Sequence, residues 1–194
     1  MKRLLSIILL LSLAAALAVN AKVPPQVTRA VSRVKAAPAL NVEFTVNGQA
    51  GSATLCGQMF TYQFPMASVF YDGKTQWSYS PADKEVTIFN PTAAELAESN
   101  PLQILSRLAS DYSGTALPDR PNTVRLSALN PKNPVTEATV VFNPSTGWPT
   151  EITIICGNQR THLENIRFTP SKTTKAPETF KFKAPKGTTI NDLR

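Results

Sequence analysis

Apolar and polar positions along the chain follow two different periods, and the places where the period changes divide it into elements. Val27, Ala30, Val31 and Val34 recur at the i, i+3, i+4, i+7 spacing of an amphipathic helix, which predicts a helix over residues 25–37 that Pro38 ends. From Val42, Phe44 and Val46 onward the period is two, and strands are predicted over residues 41–89. Asn47-Gly48 marks the first turn. A long second strand is expected from Ser52 to Phe64, with a glycine-marked bulge near Gly57, because the apolar set moves from Ala53 and Leu55 to Phe60, Tyr62 and Phe64. Ser68–Tyr71, Gln76–Ser80 and Glu85–Phe89 follow, joined by a tight turn at Asp72-Gly73 and a second at Pro81-Ala82-Asp83-Lys84.

The pattern then becomes helical over residues 92–110. Thr92-Ala93-Ala94-Glu95 reads as a capping box, and Asn100-Pro101 as the N-cap and first residue of a second helix. Leu96, Leu102, Ile104, Leu105 and Leu108 give these helices apolar surface on more than one side. After a loop containing Gly114, Pro118 and Pro121, strands return over residues 123–183: Thr123–Leu129, Glu137–Phe142, Thr150–Ile155, Arg160–Phe168 and Thr179–Lys183. The fold class is therefore mainly β within α+β. Sequential short strands with tight turns make an antiparallel meander that rolls into a barrel or half-barrel, and the striped helices must bury their apolar faces against it.

Composition changes this picture at the N-terminus. Met1-Lys2-Arg3, the apolar run that follows and Val19-Asn20-Ala21 have the layout of a signal peptide over residues 1–21, and the run is shorter than the ~20 residues a spanning helix needs. Residues 22–194 are then expected to form one exported domain. Lys22, not a cysteine, follows the leader, so no lipid anchor is expected there. The chain carries 20 Lys and Arg against 13 Asp and Glu, a net charge of +7. Lys2 and Arg3 of the leader supply two of these charges, and the remaining excess of +5 lies in Arg160–Arg194, with eight basic residues and three acidic ones. It reads as a solvated face and tail or as a docking surface for an anionic membrane or acidic partner. With no basic-and-aromatic binding motif, nucleic acid is not an expected partner.

Cys56 and Cys156 permit one disulfide in an oxidising compartment, with buried free thiols equally open. Catalysis finds no inventory. His162 is the sole histidine, no GxSxG elbow or GxxxxGK[ST] loop is present, and the Cys and His spacing suits no zinc site, so no catalytic residue, metal or cofactor is expected. Glu95 and Glu98 are better explained as a cap and a solvated helix position than as a carboxylate pair.

Four segments together resemble one known family. These are YDGKTQWSYSPADKEVTIFNP from Tyr71, NPLQIL from Asn100, FNPSTGWPTEITI from Phe142 and FKFKAPKGTTINDL from Phe180. They are similar to the LolA family of periplasmic lipoprotein carriers, in the version found in Bacteroidetes-type bacteria. The resemblance spans nearly the whole chain after the leader and is most specific at DGKTxWxY and at Phe180-Lys181-Phe182-Lys183-Ala184-Pro185-Lys186-Gly187. It implies a single curved antiparallel sheet forming an unclosed β-barrel, with a helical lid over a hydrophobic cavity that shields lipoprotein acyl chains. It also implies a monomer that receives cargo from an inner-membrane lipoprotein-releasing ABC transporter and passes it to an outer-membrane acceptor. A sensor or adaptor of the same fold, binding lipid or envelope proteins, is the other reading. The family's better-studied members tie lid closure to an Arg in a K-R-P segment, where this chain has Gly57-Gln58-Met59-Phe60.

On that resemblance, the expected cavity lining is Phe60, Tyr62, Phe64, Trp77, Tyr79, Leu96, Leu102, Ile104 and Leu105. Tyr62, Trp77 and Tyr79 suit a rim, since each has a polar tip on an apolar body. The alternative for each residue is plain core, because alternation identifies a face but not whether the space over it is filled.

Overall fold

The computed structural model describes residues 23–99 and 108–194. Helix α1 (Pro25–Ala36) opens with Pro at its first position, where the missing N–H costs nothing, and carries Arg33 and Lys35 in its last turn. Its buried stripe is Val27, Ala30 and Val31. Six strands follow: β1 (Ala39–Val46), β2 (Gln49–Cys56), β3 (Met59–Gln63), β4 (Ser68–Tyr71), β5 (Gln76–Ser80) and β6 (Glu85–Phe89). Helix α2 (Ala93–Ser99) comes next, and residues 108–111 are helical again. The chain then forms β7 (Tyr112–Ala116), β8 (Thr123–Ala128), β9 (Val135–Phe142), β10 (Pro149–Cys156), β11 (Gln159–Ser171), a 3₁₀ turn (Pro177–Phe180) and β12 (Thr189–Asp192).

All twelve strands belong to one sheet in the order β12-β6-β5-β4-β3-β2-β1-β11-β10-β9-β8-β7. Two hairpin meanders, β1–β6 and β7–β11, meet at the antiparallel β1–β11 pair, where Val42 faces Phe168. The register slips there between Glu43 and Thr45, opposite Asn165 at a φ of 54°. This bulge adds local bend and twist. The ends of the sheet, β12 and β7, do not pair, so the barrel is unclosed.

One face of the sheet carries α1. Leu40, Val42, Phe44, Phe60, Tyr62 and Tyr71 from the first meander share a single buried cluster with Val124, Leu126, Val140, Ile152 and Leu163 from the second and with the α1 stripe. Both halves of the sheet thus curl around the helix. We call this the inner face. Arg33 ties the far end of α1 to the β9–β10 turn by donating to the Thr146 carbonyl and lying 5.8 Å over the Trp148 ring, which stacks on Phe168 at 4.8 Å. The helix entry is equally close to the sheet: a Cβ on Gly114 of β7 would come within 2.7 Å of Pro24 Cδ.

Several elements differ from their expected positions. The predicted long strand from Ser52 to Phe64 is two strands, and Gly57, at a φ of 61°, sits in the two-residue turn between Cys56 and Met59 rather than in a bulge. Reversal at this turn sets Leu55 opposite Phe60 and accounts for the shift in apolar positions. The Asp72 turn spans four residues, with Tyr71 paired to Gln76, and Asp72 Oδ1 accepts the Lys74 and Thr75 N–H groups at 3.0 and 2.9 Å. The expected Gly114 loop contains strand β7. No strand forms over Thr179–Lys183, where Pro177 starts a 3₁₀ turn and the chain leaves the sheet to cross its outer face. The second helix start at Asn100-Pro101 and the leader lie outside the described residues.

Cys56 and Cys156 are free thiols. Between β2 and β10 lie β1 and β11, three strand spacings or about 14 Å. Cys156 also aligns with Gln159 at one end of β11, whereas Cys56 lies beside Ala39, whose partner Ser171 is at the other end. No disulfide spans that separation.

Candidate functional site

The inner face of β1–β4 is an aromatic wall. Alternation puts Phe44, Phe60, Tyr62 and Tyr71 on one side of their strands, and cross-strand pairing aligns them, with Phe60 between Leu55 and Tyr71. The rings meet edge-on or tilted: Phe60–Tyr71 at 5.2 Å, Phe60–Tyr62 at 5.4 Å, Phe44–Phe64 at 5.6 Å and Phe44–Tyr62 at 6.4 Å. These separations suit quadrupole-favoured ring contacts. Burial, assisted by the Asp72 carboxylate, raises the Tyr71 phenol above its usual value.

The wall is sealed at one end and open at the other. Phe60 is fully buried, whereas Phe64 is only partly covered and, with Phe44 and Gly51, borders a shallow cleft of about 600 Å³ whose other walls are largely polar, formed by Glu43, Thr45, Ser52, Gln63, Asn165 and Arg167. Gly51 permits this arrangement, because a Cβ there would sit 2.7 Å from the Phe64 ring. A second cleft, of about 510 Å³, opens where Ala93 and Ala94 at the start of α2 face Asp111, Leu129 and Lys132. The α2 start has the expected cap: the Thr92 N–H and hydroxyl donate to Glu95 Oε2 at 2.7 Å each, and the Glu95 N–H donates to Thr92 Oγ1 at 3.3 Å. Those bonds from Thr92 hold the Glu95 carboxyl below its usual value.

The expected lining set divides between the two faces of the sheet. Phe60, Tyr62 and Phe64 lie together on the inner face, and Leu96 of α2 packs against the same cluster. Trp77 and Tyr79 do not join them. Tyr71 pairs with Gln76, so Gln76 and Ser78 take the inner positions of β5, and Trp77 and Tyr79 point outward with Phe70, Val86 and Ile88. Leu102, Ile104 and Leu105 lie outside the described residues. Phe44 and Tyr71 were missed as members of the wall, although each is an aromatic at an alternate position of a predicted strand.

The outward aromatics have a cover of their own. After β11 the chain crosses the outer face as a strap. Phe180 is fully buried against Ala39, Cys56 and Met59, and Phe182 packs on Tyr79 at 4.9 Å and on Phe70 at 5.5 Å. The strap turns at Gly187, with a φ of 83°, and adds β12 parallel to β6, the Leu193 N–H donating to the Ile88 carbonyl at 2.8 Å. The F-x-F-x-x-P-x-G motif is thus a pair of aromatic plugs followed by the turn into an edge strand.

Elsewhere the chemistry is structural. His162 Nδ1 lies 2.9 Å from Thr153 Oγ1 across the β10–β11 pair, and Cys56 Sγ donates to the Pro38 carbonyl at 3.3 Å. Among the described residues no group of three His, Cys, Asp or Glu could hold a metal ion, and no helix is long and apolar enough to cross a membrane.

Neither a protein-family model nor a curated protein sequence matches the chain. Among solved structures it overlays on an uncharacterized conserved protein from Thermus thermophilus with a TM-score of 0.53 at 9% identity, covering 86% of this chain and 97% of that one. The likeness is one of fold. Looser overlays are a DUF1329 family protein from Desulfovibrio piger and a LolA superfamily protein from Nitrosomonas europaea. The first has a TM-score of 0.42 at 9% identity over 80% of this chain and 94% of that one. The second has 0.33 at 7% identity over 74% and 88%. The single unclosed sheet is the one that the LolA resemblance implied, and part of its expected lid over residues 92–110 lies outside the described residues.

Proposed function

We propose that the protein is an exported, non-enzymatic carrier that shields the acyl chains of lipoproteins and passes them across the periplasm from the inner to the outer membrane. The observation that supports this most is the aromatic wall running from fully buried Phe60 to partly covered Phe64 at the edge of a cleft. Each buried CH₂ is worth about 0.8 kcal/mol, so two or three long acyl chains in water carry a cost of tens of kcal/mol, and cargo of this kind does not cross an aqueous gap alone. A broad dispersive lining without a single strong directed bond holds such chains and still releases them to a site of higher affinity. An inner-membrane releasing transporter as donor and an outer-membrane acceptor complete the route in this reading.

Native mass spectrometry of the protein purified from cell envelopes tests it. Co-purified acylated lipoprotein supports the carrier. Delipidated protein held in a stable complex with a regulatory partner would overturn it in favour of a sensor or adaptor.

A further inference from the structure

The inner face changes character at β5. From β1 to β4 it is aromatic and aliphatic, but the inner positions of β5 and β6 are Gln76, Ser78, Ser80, Glu85, Thr87 and Phe89. Phe89 ends that set beside Gln76, and the other apolar residues of the two strands, Trp77, Tyr79, Val86 and Ile88, face outward. Period-two alternation here turns a polar row toward the side that elsewhere forms the core, beginning about 10 Å, or two strand spacings, from Tyr62.

Two hydroxyls in that row are arranged as a pair. Ser78 and Thr87 are direct cross-strand partners, which sets their Cβ atoms about 5 Å apart. Buried Gln76 donates its Nε2–H to Ser78 Oγ at 3.3 Å, which occupies an acceptor site on that oxygen and leaves its proton to donate. Ser78 and Thr87 are both partly covered, and the Thr87 hydroxyl has no partner among the described residues. Glu85 stands at the far end of the row.

We propose that this row is a head-group subsite for a neutral diacyl ester: Ser78 and Thr87 donate to the two ester carbonyls of a diacylglyceryl group while its chains lie along the aromatic wall. The inference rests on the carrier reading and narrows it. An amphiphile needs both surfaces side by side, and the sheet supplies them on adjacent strands. Two esters on neighbouring carbons present their carbonyls at a spacing that a cross-strand hydroxyl pair can meet. Glu85 disfavours an anionic head, because a phosphate placed along the row would face a carboxylate. The preferred ligand is therefore a lipopeptide with an uncharged glyceryl ester, over a phospholipid.

A ligand-and-protein double substitution tests the pairing. Binding of a synthetic dipalmitoyl lipopeptide is compared with that of its dialkyl ether analogue, which lacks the ester carbonyls, by fluorescence competition. The protein with Ser78 and Thr87 intact is expected to prefer the diester by about tenfold, as two neutral hydrogen bonds would give. Ser78→Ala with Thr87→Val should abolish the preference, and Thr87→Ser, which keeps a hydroxyl, should retain it. Thermal melts of each variant establish that it is folded, and Ser78→Ala alone serves if the double variant is not. An equal preference in the intact protein and the variants, or none in either, overturns the subsite and leaves the carrier standing. Failure of both lipopeptides to bind the intact protein overturns the carrier reading and the subsite with it.

Discussion

Phe182 lies against Tyr79 with ring centroids 4.9 Å apart, on the opposite side of the sheet from α1. A residue expected to line a cavity is thus held by the outer strap. Phe182→Ala should destabilise the protein by about 2 kcal/mol, less than full burial would give, and a Phe182→Ala and Tyr79→Ala cycle should show a coupling of about 1 kcal/mol in urea unfolding. Tyr79→Ala should leave acyl-chain binding unchanged; a binding loss larger than the stability loss would place Tyr79 on the ligand side after all.

The two ends of the inner wall should respond differently to truncation. Phe60 is fully buried, so Phe60→Ala is expected to cost about 3 to 5 kcal/mol, measured by denaturant unfolding. Phe64 borders the cleft and is only partly covered, so Phe64→Ala should cost less stability and weaken acyl-chain binding more. Equal effects of the two variants on both measurements would make the wall an ordinary core.

The anchorage of β12 should depend on pH through Asp192. The side chain of Arg194 donates to both carboxylate oxygens, and its N–H to one of them, lowering the Asp192 pKa to about 2 from 3.8. A depressed folded value means the stabilisation is fully present above pH 3.8 and is lost as pH falls toward 2. The protection factor of the Leu193 amide, bonded to the Ile88 carbonyl, should therefore fall on acidification through that window once the intrinsic pH dependence of exchange is divided out, and Asp192→Asn should remove the fall.

The start of α2 has a similar dependence, with Glu95 as the titrating group. Its carboxyl is held below its ordinary 4.5 by the bonds from Thr92, so the cap persists above that value and weakens as pH falls through the lowered one. Amide protection factors in residues 95–99 should fall on acidification. Glu95→Gln should make those protection factors insensitive to pH over the same range, and an unchanged acid-induced loss of protection in that variant would assign the effect to another group.

Local signals were legible wherever the chemistry was local. The α1 stripe, the Thr92–Glu95 cap and the alternation of β1, β3 and β9 all stand in the structure because neighbours in sequence satisfy each other there. What was not legible depends on residues far apart. Alternation separates Trp77 and Tyr79 from Gln76 and Ser78, but nothing within β5 says which set curls inward. Phe182 decides it, about a hundred residues later. The same distance hid the role of the Phe180 plug. At Gly57 the ambiguity is local instead, since a hairpin corner and a bulge both need glycine's backbone freedom.

The seam between the two meanders also bears on how the sheet forms. Within β1–β6 and within β7–β11 every pairing is a hairpin between neighbours in sequence, whereas β1 with β11 and β12 with β6 join segments about a hundred residues or more apart. Closing such long loops is slow, so each meander should assemble quickly and wait for its partner. The bulge at Glu43 and Thr45 lies on that late pairing. A substitution there would mainly slow folding if the seam is already formed at the barrier, and mainly speed unfolding if it is not.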